Sequence, residues 1–210
     1  MSQRRRTSWI DQFVLREDVN NPFYQVITSA QQLARVAEDR VGLTRADYDE
    51  VATARYQARV LEDLARMLDE DVASHGRRAD EALAGDTDPV VRARVMTNSL
   101  TGCVRASAML VDACHTLLGL AEKLLVIRRP GSRLTLMAAV ESTRAAASTA
   151  HLTVLVNLPR ITDVALYDEL ASGIDSFDIT LARANRVASA LRSGVRVGHS
   201  MPSPRAPQLR

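Results

Sequence analysis

The sequence predicts an all-α protein, a bundle of about five long helices, on three observations. Apolar residues recur at three- and four-residue steps over long stretches. No segment alternates at period two over a strand's length. Only nine Gly and seven Pro interrupt 210 residues. A chain this long buries roughly 70% of its unfolded surface, and 46% of its residues are hydrophobic, so one core can form without staples. The composition excludes a disordered chain, a collagen-like repeat and a disulfide-dense scaffold.

The first helix is predicted from Asn21, whose side-chain oxygen can cap, and Pro22, which needs no amide donor in the first turn. Phe23, Ile27, Ala30, Ala34, Ala37 and Val41 form its stripe, and Gly42 is expected to end it. Thr44 and Asp47 have the spacing of a capping box. After them Val51, Ala54, Ala58, Leu61, Ala65, Leu68 and Val72 form a heptad seam that is expected to stop at Gly76. The third helix is predicted from Asp88-Pro89 to Pro130-Gly131, with a stripe of Cys103, Ala106, Leu110, Ala113, Leu117, Leu120, Leu124 and Ile127. The fourth, from about Ser132 to Leu158, carries the small residues Ala145, Ala146, Ala147, Ser148 and Ala150, which let backbones approach closely and suit a central position. Leu166, Leu170, Phe177, Leu181, Ala184, Ala188 and Leu191 mark the fifth, with Gly194 as its expected end.

These elements give one all-α domain over residues 9–194, between flexible tails at 1–8 and 195–210. Stripes this long leave apolar surface to spare, so the helices are expected to pair two copies into a homodimer. The net charge of +2 does not argue for nucleic acid. The basic residues are almost all Arg, with Lys123 the single lysine. No apolar run reaches the roughly 20 residues of a membrane span, and Arg4 to Arg6 precede no signal-peptide block. Cys103 and Cys114 read as reduced core residues of a cytoplasmic protein.

The order of segments is also informative. A short amphipathic lead (Trp9, Ile10, Phe13) precedes the Asn-Pro helix start. A long helix then ends in Leu68-Asp69-Glu70-Asp71. Two Ala-rich helices follow, and the second closes with Val154-Leu155-Val156-Asn157-Leu158-Pro159-Arg160-Ile161-Thr162-Asp163. From about Trp9 to Leu191 this resembles the cyclodeaminase/cyclohydrolase family, which includes the cyclodeaminase domain of formiminotransferase-cyclodeaminase and bacterial methenyltetrahydrofolate cyclohydrolases. Members of that family open their first core helix with Ser-Pro-Thr-Pro-Gly-Gly-Gly-Ser, where glycines admit a ligand close to a helix N-terminus. Here the stretch reads Asn21-Pro22-Phe23-Tyr24-Gln25-Val26-Ile27-Thr28. The Ser-Asp pair of the family's fourth helix falls on Leu134-Thr135. Two ligand-handling elements of the family are therefore missing. Either the pocket is rebuilt for another substrate, or the chain is a pseudoenzyme.

The candidate residues each carry two readings. Asp69, Glu70 and Asp71 put three carboxylates on one turn, where repulsion would raise a pKa for acid/base work if they face a pocket; an acidic turn is otherwise simply solvated. His75 follows Val72 by three residues, which continues the seam and points its ring toward the bundle. It also lies one turn after Asp71, so Asp71 and His75 are the expected proton-transfer pair, against a role as a satisfied helix-end histidine. His115 and Asp112 are expected to form a solvated pair. His151 can approach the core from the small-residue helix, and His199 lies in the tail. No histidine pair has zinc-site spacing, so no catalytic metal is expected.

Asn157 and Asp163 belong to the closing segment that carries the resemblance. They either line the family's cleft or serve helix ends. Arg128 and Arg129 suit the negative end of the third helix or an anionic ligand tail, and Trp9 is expected to staple the lead onto the bundle. The resemblance implies a tetrahydrofolate derivative as the ligand, with Phe23 and Tyr24 stacking on a flat ring and Asp69, His151, Asn157 and Asp163 around it. It implies a divergent one-carbon enzyme: a cyclohydrolase, a cyclodeaminase, or a one-carbon transfer to another acceptor. The rival is a catalytically inactive helical dimer that binds a ligand or partner.

Overall fold

Asn21 opens the first helix, α1 (Pro22–Glu38), by accepting the amides of Phe23 at 2.9 Å and Tyr24 at 3.4 Å on its Oδ1. The computed structural model describes residues 21–38, 43–127 and 132–196, with the backbone alone at 172–175 and 194–196. Within these residues the remaining helices are α2 (Arg45–Ala84), α3 (Pro89–Val126), α4 (Arg133–Asn157) and α5 (Val164–Arg196), with one 3₁₀ turn at Leu158–Arg160 and no strand.

Local chemistry sets most of the helix starts. Thr44 and Asp47 form the reciprocal capping box, amide to side chain in both directions at 3.1 and 3.3 Å. Asp88 accepts the amides of Val90 and Val91, with Pro89 at the first helical position. Asp163 accepts the Leu166 amide at 3.1 Å and so starts α5.

Two sequence expectations change at the helix ends. Gly76 does not stop α2, because Ala79 and Ala82 continue the buried seam and tertiary packing outweighs one glycine's poor propensity; Gly85 is the cap. Gly194 likewise lies inside α5. Val41, Gly42, Trp9, Ile10, Phe13, Arg128, Arg129 and His199 fall outside the described residues.

Short connections make α1 to α4 run up and down around a ring in which each helix touches the next and α4 returns to α1. α5 lies over α3 and α4. The central helix is α3, which packs against all four others, whereas α4 packs against three. The Ala-rich α4 still allows close approach: the Ser29 hydroxyl on α1 donates to the Ala139 carbonyl on α4 at 3.1 Å, as well as to Gln25 on its own helix. Cys103 and Cys114 are buried and form no disulfide, and burial pushes the Cys114 thiol far up.

His115 and Asp112 do not form the expected solvated pair. Asp112 is exposed, while His115 turns toward α5. Arg183 Nη1 lies 2.8 Å from His115 Nε2, and a guanidinium can only donate. Nε2 therefore accepts, and Nδ1 carries the proton toward Thr180 Oγ1 at 3.1 Å. The Thr180 hydroxyl in turn donates to the Ser176 carbonyl at 2.9 Å. Glu122 balances Arg183 at 3.1 Å. This chain of donors locks α5 to α3. Thr180 is fully buried, so Thr180→Val, which keeps the shape but strands the His115 N–H, is expected to lower stability by about 1–3 kcal/mol in urea unfolding.

Candidate active site around His75

Register decides where His75 points. Along α2 the positions Ala58, Ala65, Val72 and Ala79, seven residues apart, are all fully buried. The interleaved series is Leu61, Leu68, His75 and Ala82. An imidazole thus stands where the heptad otherwise places an apolar residue. Its ring lies against α3 at Gly102: a Cβ built there would overlap Nε2, Cδ2 and Cε1 of His75. The missing side chain makes the notch that receives the ring.

Burial pushes the His75 pKa below its ordinary 6.5, nearby Arg78 pushes in the same direction, and Asp71 opposes them. The balance keeps the ring neutral near neutral pH, as a proton acceptor must be. Asp71 is exposed and makes no hydrogen bond to His75, acting on it only through its charge.

The other candidates distribute unevenly. Asp69 is half-buried and accepts from Asn21 Nδ2 at 3.4 Å, which ties the start of α1 to the acidic turn; Glu70 and Asp71 face solvent. Phe23 is 0% exposed, so it serves the core and does not present a stacking face; Tyr24, 60% exposed, is the aromatic that solvent reaches. His151 on α4 is half-buried and stacks on Phe177 of α5 with centroids 3.9 Å apart and planes 6° from parallel. Burial lowers its pKa, with Asp178 opposing. Asn157 is buried at 1% exposure, donating to the Thr153 carbonyl at 2.8 Å, and Asp163 is engaged as the α5 cap.

Heights along the bundle follow from the cross-helix contacts. Asn21 meets Asp69, Ser29 meets Ala139, and each residue advances about 1.5 Å. Stepping along the antiparallel helices places His75 and Gly102 about 9 Å, and His151 about 6 Å, beyond the start of α1. His75, Gly102 and His151 therefore share one layer across α2, α3 and α4, with Asp71 one turn below His75 and Tyr24 at the start of α1. Asp163 stands apart, at the start of α5.

Two hollows lie elsewhere, at the first turns of α2. One of about 430 Å³ is lined by Tyr48, Asp49, Arg55, Tyr56 and Arg59, the other, about 260 Å³, by Asp49, Glu50, Thr53 and Lys123. Some 16 residues or more of helix, about 24 Å, separate their lining on α2 from His75. Among the described residues, no three His, Cys, Asp or Glu side chains converge as metal ligands.

Comparison with known proteins adds the family. The model described as formiminotransferase-cyclodeaminase matches residues 27–176. The chain belongs to the formiminotransferase-cyclodeaminase family. Its fold is similar to that of formiminotetrahydrofolate cyclodeaminase from Thermotoga maritima, with 14% identity and a TM-score of 0.64 over 84% of this chain and 87% of that one. No curated protein sequence matches significantly. The family match begins at Ile27 and so leaves out Phe23 and Tyr24. His75 and Gly102 both lie inside it.

Sequence reasoning missed Gly102, Arg78 and Phe177. An isolated glycine within a helical pattern was the available signal for the first. Phe177 stood on the α5 stripe, but its stacking on His151 depends on how α5 lies over α4.

The lowered imidazole pKa values give a pH dependence with a definite sign. His75 and His151 bind protons more tightly in the unfolded chain than in the folded one. Their contribution is therefore full above about pH 6.5 and is lost as pH falls from there toward the lowered folded values. Urea midpoints measured from pH 7.5 to 5 are expected to fall, and the double replacement His75→Gln with His151→Gln is expected to flatten that slope.

Proposed function

We propose that this family member is an enzyme acting on a tetrahydrofolate-bound one-carbon unit, with His75 as the proton acceptor. The single observation that carries this reading is the imidazole of His75 at an inward seam position, half-buried and kept neutral, in a notch cut for it on α3. A neutral imidazole can take the proton that water releases as it attacks a cationic methenyl carbon, or move a proton between nitrogens as ammonia leaves. Asp71, one turn away, supports the imidazolium that forms. Tyr24 and Asp69 offer an exposed aromatic face and a carboxylate near the start of α1 for a flat, polar ligand. The family relation favours hydrolysis of the methenyl bridge or cyclodeamination, and the substituted Phe23-Tyr24 segment favours a changed acceptor.

The inactive binding scaffold has its own support, since the two hollows lie far from His75. Turnover separates the two readings. The purified protein incubated with methenyl-tetrahydrofolate is expected to deplete the near-ultraviolet absorbance of the methenyl form, and His75→Ala is expected to slow this by about 10²-fold or more. Binding without turnover would favour the scaffold, and full turnover by His75→Ala would remove the catalytic assignment.

The homodimer and the cytoplasmic setting belong to the same proposal. No helix among the described residues is long and apolar enough to cross a membrane. Exposed Leu152, Leu155 and Val156 on α4 give a second copy an apolar strip to cover. Light scattering is expected to return twice the 23.0 kDa chain mass; a mass of one chain would exclude the pair.

A further inference from the structure

No hydrogen bond holds the imidazole of His75 among the described residues, so shape must hold it. We infer that Gly102 is the positioning residue for His75, its absent side chain forming the seat that fixes the ring against α3. This rests on the proposed role of His75. Gly102 sits in the interior of a 38-residue helix, where glycine is a poor choice, and its φ is not in the left-handed region. Conformational freedom therefore does not explain it. What glycine supplies there is room, because a single methyl group would occupy the space of three ring atoms.

Gly119, on the same helix, makes the contrast. A Cβ there would stand 3.4 Å from Arg183 Nη1, an ordinary van der Waals contact. Alanine fits at Gly119 and does not fit at Gly102. With the seat filled, the His75 ring must swing toward solvent. It then loses the burial that lowers its proton affinity, while Arg78 and Asp71, the charged groups acting on it from α2, travel with the same helix. The notch thus sets both where the ring points and how readily it gives up its proton.

The test pairs Gly102→Ala with Gly119→Ala in the full chain. The imidazole titration of His75 is followed by NMR, and kcat and KM are measured against pH with methenyl-tetrahydrofolate. In Gly102→Ala the His75 titration is expected to move up toward the ordinary imidazole value, and the acid limb of the pH–rate profile with it. The value of kcat at neutral pH is expected to fall about tenfold or more, with KM little changed. Gly119→Ala is expected to leave all of these as they are. Melting temperatures supply a readout that needs no activity: Gly102→Ala is expected to lower Tm when His75 is present and to raise it in the His75→Ala background, where the methyl group fills the vacated space. An unmoved His75 titration in folded Gly102→Ala, or a raised Tm in both backgrounds, would overturn the assignment. If the unaltered protein turned over no reduced folate, the proton-transfer reading would fail instead, and the titration and Tm results would still decide the role of Gly102.

Discussion

The close lateral packing of α2 on α3 is the constraint on which the rest of the molecule depends. Two helices of 40 and 38 residues joined by residues 85–88 must run antiparallel over about 55 Å. Small, fully buried residues at Ala58, Ala65 and Ala79 line the α2 seam, and α2 packs against both α1 and α3. Every residue on the α2 seam is then committed to the interface, including the one histidine that falls there. An imidazole cannot interdigitate as Leu61 and Leu68 do, because it is flat and carries two nitrogens that resist full burial. The structure accommodates it with a glycine opposite and with partial exposure.

That arrangement links packing to chemistry. Burial favours the uncharged ring, and Arg78 reinforces the effect more than Asp71 offsets it. The expected carboxylate–imidazole pair is thus an unequal one: Asp71 tempers the proton affinity of His75 without gripping it. The same layer holds His151, whose stacking on Phe177 fastens α4 to α5. Below it, the Asn21–Asp69 contact fixes where α1 begins. His75 on α2 and His151 on α4 are thus half-buried at about one height, while Leu110, Leu117 and Leu118 on α3 are fully buried.

Much of the fold was legible because helix caps and seams are local. Thr44 with Asp47, Asp88 with Pro89, and Asn21 with Pro22 announce their own helix starts through bonds made within four residues. The helix ends were less legible. Gly76 and Gly194 carry the residue type of a stop, yet a glycine ends a helix only where the chain turns away, and packing carries α2 on to Gly85. The candidate site was legible only where register determines direction, as at His75. Phe23 occupies a stripe position, which took it into the core and not to a ligand. His115 was misread because its partners, Thr180 and Arg183, are more than sixty residues away, and no local pattern announces them. Gly102 matters for what it lacks, and a lack acquires meaning only beside the side chain that fills it.

Family membership and this geometry meet at one contact. The family match over residues 27–176 includes both partners of that contact, His75 and Gly102. The contact of the His75 ring with the Gly102 backbone is the most direct thing to observe. Nuclear Overhauser spectra of the protein in solution, with histidine and glycine selectively labelled, should show strong cross-peaks from the His75 Hδ2 and Hε1 protons to both Gly102 α-protons. Their absence, with the His75 ring protons seen only next to water and to residues of its own helix, would contradict the account.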